Sequence, residues 1–284
     1  MGLMRQVTTA VASVVTIAAA AQTFAMPTSS AAPCPDTEIV FARGTTEEPG
    51  VGPTGEAFVA ALRAQVGARS VGVYGVDYPA TMAFSTAVQG IADARSHILT
   101  TVANCPSTKL VLGGFSQGAA VIGFVTASVV PDGVSSPDVP APMPPEVADH
   151  VAAVVLFGKP SKRFMNVLKD PDIVVGPSYA AKTIDLCVDN DLVCDPHGRS
   201  FSVHDGYDEA GLVGQGATFA AQRLQALWTA DAAAAAAAGG LDPQPTTPAP
   251  TALSDVTPAQ HVEVGPTLPG PAPLPGPAAL ADPS

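Results

Sequence analysis

Positive charge is scarce in this chain: 13 Lys and Arg stand against 25 Asp and Glu over 284 residues, giving a formal net charge of −12 and a pI near 4.6. Long-range electrostatics therefore repel nucleic acid and anionic membrane surfaces, which excludes a DNA or RNA partner. Cysteine is sparse as well. The four present, Cys34, Cys105, Cys187 and Cys194, form no C-x-x-C pair, and no histidine sits at ligand spacing from both ends, so no metal site is expected. In an oxidising compartment four cysteines allow three pairings, among which spacing does not choose. No apolar run reaches the ~20 residues that a bilayer span requires. The run from Val11 to Ala21 follows a lone Arg5 and precedes the small residues around Thr23-Phe24-Ala25. This is the pattern of a secretory signal cleaved near Ala25, so 1–25 is read as a signal peptide and not as an anchor.

What the sequence does contain is an alternation of short apolar runs and helix-like stretches. Runs over Glu38 to Ala42, Ser70 to Val76, Lys109 to Gly113, Val151 to Phe157 and Lys182 to Leu186 read as strands. Several are unbroken Val, Ile and Leu, as expected when helices cover both faces of a sheet. Helix-like patterns span Glu56 to Val66, Ala87 to Val102, Gln117 to Val129 and Gly216 to Trp228. The alternation predicts a single α/β/α hydrolase-type domain over 33–230, with a central, mostly parallel five-stranded sheet. Val130 to Glu146 is too rich in proline for regular structure and reads as a surface loop. A polyalanine run starts at Ala232, and the final stretch, 239–284, carries 12 of the 29 prolines with almost no aromatic or β-branched core. Such a segment buries too little apolar surface to offset its ordering entropy, so a disordered Pro/Ala-rich tail is expected, serving as a spacer or as a tether to the cell envelope.

The most informative segment is Gly114-Phe115-Ser116-Gln117-Gly118, which sits where the apolar run LVLGG meets the helix-like QGAAVIGFV. A serine on a sharp strand-to-helix turn is a nucleophile elbow. Its strained backbone leaves no room for Cβ atoms two residues to either side, which explains both glycines. The turn lifts the Ser116 hydroxyl above the sheet, and the first amides of the helix, Gln117 foremost, point at any oxyanion formed beside it.

An activated serine needs an imidazole to take its proton and a carboxylate to orient that imidazole. Of the five histidines, His97 falls within a helix pattern, His150 at the start of a strand and His261 in the tail. His197 and His204 remain, both after the last strand. Upstream of them Asp189 and Asp191 lie between Cys187 and Cys194. If those two cysteines join, a carboxylate is held stiffly at a strand end. The residues alone leave Asp189 against Asp191, and His197 against His204, open.

FARGTTE (Phe41 to Glu47), GFSQGAA (Gly114 to Ala120), the DLVC end of Cys187 to Cys194 and the later His204 occur in this order. Together they resemble the cutinase family of serine esterases, over about Cys34 to Trp228. The resemblance implies Ser116 as nucleophile, Asp191 as acid and His204 as base, with the amides of Thr45 and Gln117 forming the oxyanion hole. It further implies disulfides Cys34–Cys105 and Cys187–Cys194. Phe115 stands where the family often has tyrosine, and Thr45 where it has serine. The loop after Val130 and the long tail exceed the minimal fungal pattern, and the overall look is that of a secreted bacterial cutinase-like protein.

The expected activity is hydrolysis of carboxylic esters of short to medium acyl chain through an acyl-enzyme, with no cofactor, by a monomer acting on an ester or lipid substrate. No interfacial lid is evident, and Pro79 to Phe84 and Pro171 to Pro177 are expected to border a shallow cleft. An acyltransferase, phospholipase, thioesterase or serine peptidase shares this machinery. The alternative of another class is a non-catalytic envelope or adhesion protein on the same scaffold. Secretion is expected, with or without retention at the cell wall.

Overall fold

The computed structural model describes residues 33–132 and 139–239. The expected signal peptide at 1–25, part of the proline-rich loop, His261 and all of the expected tail beyond residue 239 lie outside the described residues. The chain divides into two units, Met1–Ala238 and Gly239–Ser284, and only Gly239 of the second is described.

Five parallel strands, β1 (Thr37–Ala42), β2 (Val71–Gly75), β3 (Lys109–Phe115), β4 (Val151–Phe157) and β5 (Thr183–Leu186), stand in the order β2-β1-β3-β4-β5. Side chains alternate across the sheet. Val40, Leu112, Val154 and Leu156 face a core with α2 (Ala87–Asn104) and α3 (Gln117–Val125), while Ile39, Phe41, Val111 and Val155 face α1 (Gly52–Val66) and α6 (Leu212–Gly239). Helices on both faces account for the continuous apolar runs of β3 and β4, as a parallel sheet requires. The strand order reverses between β1 and β3, so their carboxyl ends border the crevice where α/β folds place ligands.

Three features depart from the sequence expectation. α3 stops at Val125 because the Thr126 hydroxyl bonds back to the Ile122 and Gly123 carbonyls, and the Thr126 carbonyl is taken by the Gly176 amide. α6 starts at Leu212 and runs on through the polyalanine to Gly239. Val213, Ala217, Ala220 and Leu224 anchor its first half, Trp228 under the Arg69 guanidinium and Asp231 on Lys109 hold the next turn, and alanine, the best helix former, carries the exposed remainder. The short α4 (Lys162–Leu168) and α5 (Pro177–Ala180) are additions. α4 is capped by the Ser161 hydroxyl, which accepts from the Phe164 amide. Among the described residues no helix is long and apolar enough to cross a membrane.

Candidate active site

Ser116 joins β3 to α3 with φ 53° and ψ −116°. A non-glycine residue there carries roughly 1–3 kcal/mol of backbone strain, which persists only if the surroundings over-determine it. They do. The Ser116 amide donates to the Phe157 carbonyl at 2.8 Å, clamping the turn to the end of β4. A Cβ on Gly118 would collide with the Ala42 and Arg43 carbonyls, and one on Gly114 with the Gly118 carbonyl. Only glycine at both positions lets α3 start this close to β1.

The loop after β5 brings His204 over the turn. Its Nε2 lies 2.8 Å from Ser116 Oγ and its Nδ1 lies 2.7 Å from Asp191 Oδ2. An ionised carboxylate only accepts, so Nδ1 carries the imidazole proton and Nε2 is left to accept from the serine hydroxyl. Asp191 is fully buried, and it also receives the Val193 amide on Oδ1 at 2.8 Å and the Tyr207 hydroxyl on Oδ2 at 2.7 Å. Burial alone would raise its carboxyl pKa. The bonds from His204, Val193 and Tyr207 outweigh that and hold it below the ordinary carboxylate value. For Tyr207, burial and the neighbouring Asp191 push the phenol pKa well up, so it stays a donor. Gly158, at φ 59°, ends β4 beneath this network, where a Cβ would press on Tyr207 Oη at 2.7 Å and His204 Cε1 at 3.0 Å.

Cys187 and Cys194 form a disulfide that rings Asp191, and Cys34 pairs with Cys105 where β1 begins and α2 ends. Asp189 and His197 are exposed and take no part in the network. His197 sits in the turn held by its own amide on Asp195 Oδ1, at 2.8 Å. His97 stacks on Tyr74 and bonds Glu38 at 3.1 Å, and His150 meets the Pro106 carbonyl at 3.1 Å, both far from the serine in the fold.

On the other side of Ser116 the turn after β1 carries Thr45. Arg43, almost wholly buried, donates to the carbonyls of Glu47 at 2.8 Å, Val76 at 3.3 Å and Tyr78 at 2.5 Å, and its guanidinium lies 5.1 Å from the Tyr78 ring centre. The Thr46 amide donates to Ala80 and the Gly44 amide to Glu47 Oε2, both at 2.6 Å, while the Thr45 amide has no acceptor among the described residues. The Gln117 amide lies in the first turn of α3, where the helix offers no acceptor. The Gln117 side chain donates to the Thr81 carbonyl at 3.0 Å, so Pro79 to Phe84 stands beside the elbow. Pro171 to Pro177 instead packs on the far end of α3, at Gly123 and Thr126. Burial raises the Glu47 pKa, with Asp205 adding to the effect. Phe115 links the two sides, its ring 4.9 Å from that of His204 and in contact with Gly44.

Sequence reasoning passed over Arg43, Glu47 and Tyr207. Arg43 and Glu47 stood inside FARGTTE, and Tyr207 stood three residues beyond His204, so proximity to a motif was the available signal. Among the described residues no group of three or more His, Cys, Asp and Glu is placed to hold a metal ion.

Comparison with known proteins gives this arrangement its context. The chain is 60% identical over 169 residues to "Probable carboxylesterase Culp5" of Mycobacterium tuberculosis (strain ATCC 25618 / H37Rv), covering 60% of this chain and 96% of that protein. It is 43% identical over 224 residues to "Phospholipase Culp4" of the same strain, covering 78% of this chain and 94% of the relative. Among solved structures, Trichoderma reesei cutinase in complex with a phosphonate inhibitor superposes with a TM-score of 0.52 at 30% identity, over 68% of this chain and 78% of that one. The catalytic core of Trichoderma reesei acetyl xylan esterase shares the fold, with a TM-score of 0.56 at 23% identity over 67% of this chain and 100% of the other. A model of the Cutinase family matches residues 33–224, more than half of the sequence, and the chain therefore belongs to the cutinase family and is a carboxylic ester hydrolase.

Proposed function

We propose that Ser116, His204 and Asp191 are the catalytic triad of a secreted esterase that cleaves carboxylic esters of short to medium acyl chain, with the amides of Thr45 and Gln117 as its oxyanion hole. The observation that carries the reading is the unbroken path from Ser116 Oγ through His204 to Asp191, with steps of 2.8 and 2.7 Å. In this scheme Ser116 attacks the ester carbonyl as His204 Nε2 takes its proton. Asp191 holds the imidazole tautomer and stabilises the imidazolium, and His204 returns the proton to the leaving alcohol. Water then releases the acyl group by the same steps in reverse. Negative charge develops on the carbonyl oxygen, where preorganised amides stabilise it most.

Substrate class rests on the surroundings. Phe201, 57% exposed, stands edge-on to His204, and Met82, 81% exposed, follows Thr81 beside Gln117, so apolar side chains flank an open cleft. This suits acyl chains reached without lid opening. The relative named a phospholipase favours phospholipids as a second substrate class. Two disulfides among the described residues support an oxidising, extracellular location, and with it the signal reading of 1–25, while 239–284 is read as a spacer from its composition. The enzyme is proposed to act as a monomer.

The test is turnover of p-nitrophenyl butyrate by Ser116→Ala. The rate is expected to fall by about 10⁶, to the residue left by binding and the oxyanion hole. Turnover near wild type would overturn the assignment.

A further inference from the structure

Beyond the turn whose Thr81 carbonyl holds Gln117, a cavity of about 280 Å³ opens between α2, α3 and the described residues 129–131 and 139–142. None of Ser116, His204, Thr45 or Gln117 lines it. Its walls are apolar, with Phe84, Val88, Ile91, Phe124 and Pro140 prominent, and Val129, 68% exposed, stands at its edge. The space is partly open to solvent, and ligand pockets begin at roughly this size.

One charged donor enters this apolar space. Arg95 lies on the same face of α2 as Val88 and Ile91, at helical spacings of seven and four residues. Its Nε is buried without an acceptor, and its guanidinium joins none of the ion pairs among the described residues. Asp170, the one acidic residue of the wall, is likewise unpaired with it. Arg95 is half-buried, its guanidinium is always charged, and the planar fork matches a carboxylate with two parallel hydrogen bonds.

We infer that this cavity is a binding site for a medium-chain fatty acid, its alkyl chain between α2 and α3 and its carboxylate on Arg95. Such a molecule is also what hydrolysis of an acyl ester releases. The site is separate from the cleft at Ser116 and does not depend on the assignment of the triad, because binding is read without turnover.

Calorimetric titration of decanoate into the full chain tests it, repeated with Arg95→Gln, with Ile91→Trp, and with protein whose active-site serine carries a phosphonate. One decanoate is expected per chain. Arg95→Gln should weaken binding at least tenfold and Ile91→Trp should abolish it. Both variants should keep wild-type turnover of p-nitrophenyl acetate, which reports an intact fold. Phosphonate-labelled protein should bind decanoate as before. Absence of binding, equal affinity in Arg95→Gln, loss of binding on labelling, or tighter binding of 1-decanol or of a decanoyl lysophospholipid would each overturn the inference.

Discussion

On one side of Ser116, His204 and Asp191 sit in a loop ringed by the Cys187–Cys194 disulfide around a fully buried carboxylate with three donors. On the other side, Thr45 rides a turn with no disulfide, held by a buried arginine that donates to three carbonyls and by the amides of Gly44 and Thr46 on Glu47 and Ala80. In the proposed mechanism the two sides have different tasks, and the difference follows from them. A proton relay needs a charge kept in one place, and a buried carboxylate survives only when its lone pairs are satisfied and its backbone cannot relax. An oxyanion hole needs only neutral amides aimed at one point, so fixing the backbone is enough. Phe115 touches both sides, through Gly44 and His204, and couples their spacing.

The comparison is sharpened most by Arg43→Met. Removing the fork leaves the carbonyls of Glu47, Val76 and Tyr78 without their donor and frees the Thr45 turn. We expect kcat to fall by about 10²–10³, the loss typical of a missing oxyanion donor, together with about 2–4 kcal/mol of stability. Stopped-assay kinetics and urea unfolding check both. Wild-type kcat in a folded variant would show that the turn is held by something else.

Tyr207→Phe probes the opposite side with a smaller effect. Asp191 keeps two of its donors, and we expect kcat/KM to drop by about tenfold, at the low end of deleting a buried charge-assisted hydrogen bond. The pH dependence carries a defined sign. A carboxylate with a depressed folded pKa adds stability that is full above the unfolded carboxylate value and is lost as pH falls through the folded one. Losing the Tyr207 donor raises the folded Asp191 value, so the acid-unfolding midpoint followed by circular dichroism should move to higher pH. A midpoint unchanged or lowered would contradict the role given to Tyr207.

Glu47→Gln should have the smallest effect. Burial raises this carboxyl, so its ionised form weakens the folded state as pH climbs from the unfolded glutamate value through the folded one. Glutamine keeps an oxygen for the Gly44 amide without the charge. The variant should be the more heat-stable protein at neutral pH, with the gap closing below the ordinary glutamate range, and should retain activity within about threefold. A variant less stable than wild type at pH 7 would mean that the charge itself holds the turn.

Much of this was legible in the sequence for physical reasons. The doubled glycines around Ser116 report a steric demand, and the unbroken apolar runs of β3 and β4 report two covered faces. Both are local and leave a local imprint. The five-strand parallel sheet followed from the alternation. What stayed hidden depends on distant partners: the end of α3 is set by Gly176, some fifty residues on, and nothing near Arg43 announces the Val76 and Tyr78 carbonyls it reaches. The polyalanine from Ala232 belongs to α6 through alanine's own helix propensity, a local signal that the helix pattern ending at Trp228 did not use. Asp191 and His204 were separated from Asp189 and His197 by family resemblance, and in the fold only the first pair meets Ser116.

The central claim is that a single hydroxyl, at position 116, is activated as a nucleophile. Treating the folded chain with a fluorophosphonate and locating the added mass by peptide mass spectrometry tests it most directly. One label per chain on the peptide bearing Ser116, with parallel loss of esterase activity, is the predicted result. Full loss of activity with the label on another residue, or an active chain that takes no label, would contradict it.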